Sequence, residues 1–313
     1  MAVRARLAIR AARLAGGAIL TVGVAVAAAA PSSGASVAHP AAAAVAAAFA
    51  PSRVVTAPRG VRAKEAAIAN AATGRVLWSR DLNTERPMAS ITKVMTALVV
   101  IRAGDLGRRI TVPSAVIAYV RTHGASSAGL RPGDVLTASR LLYALILPSG
   151  ADAAYTLAVA YGPGIPGFVA KMNATARALG LTRTHFSNFD GLGYPTGYST
   201  YSTAANLIKL GLAAMKSAVF RSIVDRRTYR IRPGSGHHAY FWQNTNPLLG
   251  VYPGAIGIKT GWTPPAGHCL LFEASRDGRT FIGVNLDSPG TGPTVSGADA
   301  TRMLNWAFSL PVR

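Results

Sequence analysis

The chain has 313 residues, of which 50% are hydrophobic and 14% are charged, so it can bury a sizeable core and is neither a disordered nor a fibrous protein. Its single cysteine, Cys269, excludes an intrachain disulfide, and its six histidines show no zinc-binding spacing, which argues against a zinc enzyme. The net charge of +21 indicates either a compositional bias toward Ala, Arg and Gly or attraction to a polyanion.

The chain begins with a basic segment that is followed by an apolar run. Residues 1–13 carry four arginines and no acidic residue, and residues 14–30 contain no charge. This order is typical of a secretory signal peptide, and the alternative is an uncleaved anchor. Because the run is rich in Ala and Gly, we predict a cleaved signal peptide over 1–30. Residues 31–58 are predicted to be an Ala/Pro-rich linker, and residues 59–313 one folded domain.

Beyond the linker, the sequence predicts strands at both ends of the domain and helices between them. Residues 66–71 and 75–80 predict a β-hairpin. Helical spacing occurs over 90–101, 137–147, 151–161, 168–179, 203–215 and 297–309, and strand patterns over 227–231, 255–260, 268–275 and 280–286. We therefore predict an α+β fold, with an antiparallel sheet assembled from both termini, flanked by helices and carrying an inserted helical lobe. A cleft between the two parts is the expected place for a site.

The first of three short motifs is Ser90-Ile91-Thr92-Lys93, at the start of a predicted helix. Residues three apart share a helix face, so Lys93 would hold its amine beside the Ser90 hydroxyl. A lysine with a lowered pKa can take the proton of a serine and make it a nucleophile. The backbone N–H of Ser90 would also be free to stabilise an oxyanion. The alternative is a surface lysine beside a helix-capping serine.

The second and third motifs follow farther along the chain. Ser149-Gly150-Ala151-Asp152 lies between two predicted helices, where the Ser149 hydroxyl either relays a proton in a cleft or caps the next helix. Lys259-Thr260-Gly261 ends a predicted strand. A strand beside a cleft can place a lysine, a hydroxyl and a glycine backbone along a bound ligand, although a simple turn would also fit.

Together the motifs resemble the SxxK, SxN and KTG triplet of the penicillin-binding serine DD-peptidase family, and they occur in the same order. Further resemblance lies in residues 86–98, 188–192, 201–204, 244–254 and 257–269. The resemblance covers about residues 62–310 and points to the D-alanyl-D-alanine carboxypeptidase branch. It implies a β-lactamase/DD-peptidase-like fold for residues 59–313.

The resemblance implies a role for each motif residue. Ser90 would attack the penultimate D-alanine of a peptidoglycan stem peptide and form an acyl-enzyme, which water or an amine then resolves. Lys93 would be the general base, and Ser149 would pass the proton to the leaving amine. The implied substrate-binding residues are Lys259, Thr260, Gly261, Trp262 and Thr263.

Within this group the resemblance assigns separate tasks. Lys259 would add positive charge to the cleft and keep the pKa of Lys93 low. Thr260, with Thr263, would bind the terminal carboxylate. The backbone N–H groups of Ser90 and Trp262 would form the oxyanion hole. Arg227, Arg230 and Arg232 are further candidates for the substrate carboxylate, and the sequence does not choose among them.

The resemblance also carries expectations about partners and location. It implies no metal and no organic cofactor. The partners are a stem peptide ending in D-Ala-D-Ala and β-lactam antibiotics, which should acylate Ser90. No nucleic-acid partner is expected. The protein is expected on the extracytoplasmic face of the membrane, in the cell wall or secreted, with membrane contact at most through its N-terminal segment. Because the printed sequence ends at residues 310–313, soon after the last predicted helix, we expect neither the further β-domain nor the membrane helix of many members of this branch.

One departure from the family pattern keeps two alternatives open. Ala151 stands where the second motif asks for Asn, so we expect weaker activity. A β-lactamase of the same fold would use a glutamate between Ser149 and Lys259 to activate water, and that interval contains none. A non-catalytic peptidoglycan-binding protein is suggested by Ala151 and opposed by the intact Ser90 and Lys93 pair. The balance of hydrolysis and transpeptidation is left open.

Overall fold

A computed structural model describes residues 56–292 and 294–311 of the chain. The predicted signal peptide over 1–30 and nearly all of the predicted linker lie outside the described residues. Within the described ranges, no helix combines the length and the apolar character that crossing a bilayer requires.

The described residues form eleven strands and eight α-helices. The strands are β1 (Glu65–Asn70), β2 (Val76–Arg80), β3 (Arg86–Pro87), β4 (Arg109–Thr111), β5 (Val135–Thr137), β6 (Tyr201–Ser202), β7 (Thr228–Ile231), β8 (Tyr240–Gln243), β9 (Ala255–Thr263), β10 (Gly267–Arg276) and β11 (Arg279–Ser288). The helices are α1 (Thr92–Ala103), α2 (Ala115–Thr122), α3 (Ala138–Ile146), α4 (Ala151–Tyr161), α5 (Gly164–Ala178), α6 (Ala204–Met215), α7 (Ala218–Val224) and α8 (Thr294–Ser309).

A five-stranded antiparallel sheet joins the two ends of the domain. Its strand order is β2-β1-β11-β10-β9, so an N-terminal hairpin pairs with the last strand of the chain. Glu65 on β1 lies opposite Leu286 on β11, and Asn70 lies opposite Phe281. The helices from α1 to α7 are inserted between β2 and β9 in the sequence. This arrangement is the predicted α+β fold, and it leaves β9 as an edge strand.

The sheet separates two apolar cores. Alternate side chains of a strand point to opposite faces, and both faces of β1 are buried. Ala66 and Ile68 pack in a core with α8, whereas Ala67 and Ala69 pack in the larger core under the helical lobe. A strand that is buried on both faces reads as a continuous apolar run, as this one does.

Helix ends follow the local chemistry of the sequence. Thr137 caps α3 by accepting a hydrogen bond from the backbone N–H of Arg140, and Thr203 caps α6 in the same way through Asn206. The helix predicted from residue 90 begins at Thr92, because residues 89–91 form a 3₁₀ turn in front of it. Ser90 therefore lies in this turn.

Asp299 fastens α8 to the start of β1. Its carboxylate is 1% exposed and accepts hydrogen bonds from the backbone N–H groups of Arg62 at 2.9 Å and Ala63 at 2.8 Å. It also accepts from Ser288 Oγ at 2.8 Å and from the Arg302 guanidinium at 3.2 Å. One buried acceptor group therefore joins the segment just before the first strand, the last strand and the closing helix.

We predict that Asp299→Asn lowers the free energy of unfolding by about 1–3 kcal/mol. The partners of Asp299 are all hydrogen-bond donors, and the NH₂ group of Asn cannot accept from them. Urea denaturation of the purified domain measures this loss. Asp277→Asn is the matched control, because Asp277 is exposed and pairs only with its neighbour Arg276. Equal stability of the two variants would contradict the structural role of Asp299.

Candidate active site

A cleft of about 910 Å³ lies between the helical lobe and the edge strand β9. It collects most of the side chains that the three motifs contribute. Six of the predicted site residues line it, namely Ser90, Ser149, Thr260, Gly261, Trp262 and Thr263. The other two, Lys93 and Lys259, are 0% and 1% exposed and do not line its surface. The structure therefore brings the three motifs to one place, with both lysines beneath the surface.

Ser90 and Lys93 are in direct contact. Ser90 lies in the 3₁₀ segment and lines the cleft, and Lys93 lies in the first turn of α1. Lys93 Nζ donates hydrogen bonds to Ser90 Oγ at 2.8 Å and to the backbone oxygen of Asp190 at 3.1 Å. This distance is short enough for direct proton transfer between the amine and the hydroxyl.

Burial controls the protonation of both lysines. Loss of hydration lowers the pKa of Lys93 to about 8, and the negative charges of Asp190 and Asp152 oppose this change. Loss of hydration, together with the charge of Lys93, lowers the pKa of Lys259 well below its usual value. Because the repulsion acts on both partners, the site disfavours two ammonium groups at once.

Lys259 reaches the cleft through Thr260. Its Nζ donates to the backbone oxygen of Thr260 at 3.0 Å and lies 3.5 Å from Thr260 Oγ1. Thr260 Oγ1 is in turn 2.7 Å from Thr245 Oγ1, which lies on the loop before β9. Lys259 was expected to place a positive charge at the cleft surface. The surface there instead presents the hydroxyl groups of Thr245 and Thr260, with the Lys259 amine buried behind them.

Gly261 allows β9 to approach the turn that carries Ser90. A Cβ atom at this position would lie 2.9 Å from Met88 O and 3.1 Å from the backbone nitrogen of Ser90. Such distances are too short for a side chain without a shift of the backbone. The next residue, Trp262, is 58% exposed and forms part of the cleft wall. The hydroxyl of Thr263 accepts the backbone N–H of Ala266 and so also stabilises the turn after β9.

Ser149 shares the cleft with Ser90 and Lys93. In the described part of the chain, its hydroxyl forms no hydrogen bond with either residue. Ser149 has a left-handed backbone with φ of 64°, and Gly150 is the cap residue of α4. The helix-capping alternative for Ser149 therefore does not hold. Ala151 is fully buried and offers the cleft no polar side chain.

The loop that faces Ser149 is held by Asp152. This carboxylate is 1% exposed and accepts from Ser127 Oγ at 2.6 Å and from the backbone N–H groups of Ala128 and Leu130 at 2.9 and 3.0 Å. The acidic residue in the second motif therefore shapes one wall of the cleft.

Asp190 and Tyr119 form a network that the motif analysis did not assign. Asp190 is fully buried, and its carboxylate accepts from Tyr119 Oη at 2.6 Å and from the backbone N–H of Leu192 at 3.1 Å. Tyr119 Oη is also 2.8 Å from the hydroxyl of Tyr194, a cleft residue. Burial and the charge of Asp190 raise the pKa of both tyrosines, so they remain protonated donors. The family resemblance of residues 188–192 could have pointed to Asp190. Tyr119 lies on α2, a helix that the sequence analysis did not predict.

We predict that Gly261→Ala lowers the free energy of unfolding by about 1–3 kcal/mol, because the added methyl group forces β9 away from the Ser90 turn. Thermal unfolding followed by calorimetry measures the change. Gly107→Ala is the control, because a Cβ atom there meets nothing within 4 Å. A Gly261 variant as stable as this control would show that the close approach is not required.

Comparison with known proteins agrees with this geometry. Residues 52–290 match the D-alanyl-D-alanine carboxypeptidase family. A D-alanyl-D-alanine carboxypeptidase of Streptomyces sp. strain K15 is 42% identical over 253 residues, which are 77% of this chain and 85% of that protein. The D-alanyl-D-alanine carboxypeptidase DacB2 of Mycobacterium tuberculosis is 39% identical over 248 residues, 78% of this chain and 81% of that protein.

The fold agrees as well. The crystal structure of the Streptomyces K15 DD-transpeptidase superposes with a TM-score of 0.76 at 39% identity, and the match covers 82% of this chain and 100% of that one. The predicted fold and enzyme class are confirmed, and the chain belongs to the D-alanyl-D-alanine carboxypeptidase family of serine peptidases.

Proposed function

We propose that the enzyme removes the terminal D-alanine from peptidoglycan stem peptides, with Ser90 as nucleophile and Lys93 as general base. The observation that carries this assignment is the 2.8 Å contact between a buried amine with a lowered pKa and a serine hydroxyl in a cleft. An uncharged amine can accept the hydroxyl proton, whereas an ordinary surface lysine at neutral pH cannot. Membership of the family supports the substrate class.

Acylation follows from the same contacts. Ser90 Oγ attacks the carbonyl carbon of the penultimate D-alanine while Lys93 takes the hydroxyl proton. The oxygen that becomes negative is held by the backbone N–H groups of Ser90 and Trp262. The C–N bond then breaks, and the proton held by Lys93 passes through Ser149 to the leaving amine, which returns Lys93 to its uncharged form. In the second half-reaction Lys93 deprotonates water, which attacks the ester and restores the Ser90 hydroxyl.

The terminal carboxylate of the substrate is assigned to the hydroxyl groups of β9. Thr260 and Thr263 line the cleft on the strand that also carries Gly261 and Trp262. Lys259 is too deeply buried for direct contact, so we assign it a positioning role through Thr260, to which its amine is bonded. This arrangement requires no metal and no organic cofactor.

The same proposal covers location and inhibitors. Family members act on peptidoglycan, which lies outside the cytoplasmic membrane. Residues 1–30 are assigned as an export signal and residues 31–58 as the linker to the catalytic domain. The net charge of +21 supports residence near an anionic cell envelope. β-Lactams are assigned as covalent inhibitors that acylate Ser90.

A β-lactamase activity finds no support in the cleft. None of the described residues that line it is acidic, so no lining carboxylate is present to activate a deacylating water. The two buried carboxylates that act on Lys93, Asp190 and Asp152, already accept hydrogen bonds from protein donors. We therefore expect a long-lived penicillin adduct.

We predict that Ser90→Ala abolishes the mass increase of one benzylpenicillin and lowers D-alanine release by at least about 10⁴-fold, because the nucleophile is lost. Intact mass spectrometry and a D-alanine assay measure the two effects. Ser114→Ala is the control, because Ser114 is exposed and its side chain caps nothing. Labelling that persists in the Ser90 variant, or rapid turnover of penicillin by the unaltered enzyme, would refute the proposal.

We predict that the rate constant for acylation by benzylpenicillin rises with pH and levels off above a midpoint near 8, where Lys93 loses its proton. Asp190→Asn should move this midpoint below 8, because it removes a negative charge that favours the ammonium form. Tyr119→Phe should move the midpoint upward. Without the hydrogen bond from Tyr119, the negative charge of Asp190 is less compensated and favours the ammonium form of Lys93 more strongly. Stopped-flow acylation across pH tests both directions. Shifts of the same sign in the two variants would contradict the network.

A further inference from the structure

A second cavity of about 570 Å³ adjoins the catalytic cleft. Thr245 lines both, so the two spaces meet at the loop that precedes β9. The polar residues around the second cavity are Arg227, Thr228, Gln243, Asn244, Thr245 and Asn246. None of the described residues that line it is acidic. Apolar residues, Pro247, Leu249 and Val251, complete the lining, so the cavity is a mixed extension of the active site with one positive charge.

One charged donor of this cavity, the Arg227 guanidinium, is exposed, whereas the amide nitrogen of Asn246 is enclosed in the wall. Asn246 is 5% exposed, and its Nδ2 atom is buried without a hydrogen bond among the described residues. Its Oδ1 accepts the backbone N–H of Leu248 at 3.0 Å, which fixes the orientation of the amide. Within the same described ranges, the Arg227 guanidinium has no acidic partner and donates no hydrogen bond. A guanidinium without a protein partner selects an anion with acceptor oxygens, such as a carboxylate.

The local backbone is built to hold Arg227 in this place. Its guanidinium packs over Gly250, where a Cβ atom would lie 2.9 Å from Arg227 Cζ. Gly250 has φ of 73°, a conformation that favours glycine. The backbone oxygen of Arg227 accepts the N–H of Asn244 at 2.8 Å, which joins β7 to the loop beside the cleft. Arg227 is thereby distinguished from Arg230, which lies over the ring of Phe241.

The position of the cavity identifies the part of the reaction that it serves. Thr245 Oγ1 is 2.7 Å from Thr260 Oγ1, the group assigned to the terminal carboxylate of the substrate. The second cavity therefore extends from the side on which D-alanine leaves. An incoming amine must approach the acyl carbonyl from this same side once the D-alanine has gone.

We propose that the Arg227 cavity is an acceptor subsite, which binds the carboxylate of a peptide whose amine resolves the acyl-enzyme. This inference rests on the proposed function, because it requires an acyl group on Ser90. The amine nitrogen attacks the ester carbonyl, a C–N bond forms and the C–O bond to Ser90 breaks. The amine loses a proton to Lys93, and Ser90 Oγ regains one. No further reactant is needed.

The test is the ratio of aminolysis to hydrolysis in one reaction mixture. The donor is an N-acylated peptide that ends in D-Ala-D-Ala. The acceptors are glycylglycine and triglycine, each compared with its C-terminal amide. We expect the free acid of at least one length to give about a tenfold higher ratio than its amide, as for a charge-assisted hydrogen bond. Arg227→Gln should remove this difference, because the guanidinium is lost.

Two further variants complete the design. Arg230→Gln, in β7 three residues after Arg227 and away from the cavity lining, should keep the preference for the free acid. Asn246→Asp should reduce it, because a negative charge in the cavity wall opposes the binding of a carboxylate. Equal ratios for acids and amides, absence of aminolysis while hydrolysis continues, or equal effects of the two arginine variants would overturn the subsite alone. Loss of both D-alanine release and penicillin labelling in the unaltered enzyme would instead overturn the proposed function.

Discussion

Two amines buried in one small space are the constraint on which the active site depends. A lysine removed from water loses much of its hydration, and a second lysine nearby adds repulsion. Lys93 and Lys259 are tolerated because their nitrogen atoms are hydrogen-bonded to Ser90, Asp190 and Thr260, and because Asp190 and Asp152 supply negative charge nearby. The chemistry of the site is thus a consequence of the packing that excludes water from it.

The fold provides that packing by joining distant parts of the chain. The pairing of β1 with β11 closes the sheet, and this leaves β9 at the edge that faces the helical lobe. Gly261 then lets the edge strand contact the turn that carries Ser90. The sheet and the lobe could not enclose both lysines if either contact were looser. The small size of Gly261 and the edge position of β9 therefore both bring the sheet close to the helical lobe.

Patterns in the sequence predicted the long elements and the meeting of the three motifs, because periodicity and motif order are local signals. Of the strands of two to four residues they predicted β7 but not the others, such as β3 and β8, which are too short to show alternation reliably. Helix α2 has only eight residues, which are too few to show a clear helical period, so Tyr119 was not assigned. The depth of Lys259 and the contact of Tyr119 with Asp190 depend on tertiary packing, which residue spacing does not encode.

The loop before β9 has a consequence for any attempt to rebuild this site. The backbone N–H of Thr245 donates to Leu147 O, two residues before Ser149, and its hydroxyl meets Thr260. One loop residue thus sets the spacing between the second and third motifs. Grafting the three motifs alone onto another scaffold would leave the width of the groove undefined. An active graft must therefore also include the loop with Thr245, whose hydrogen bonds to Leu147 and Thr260 connect the two motifs.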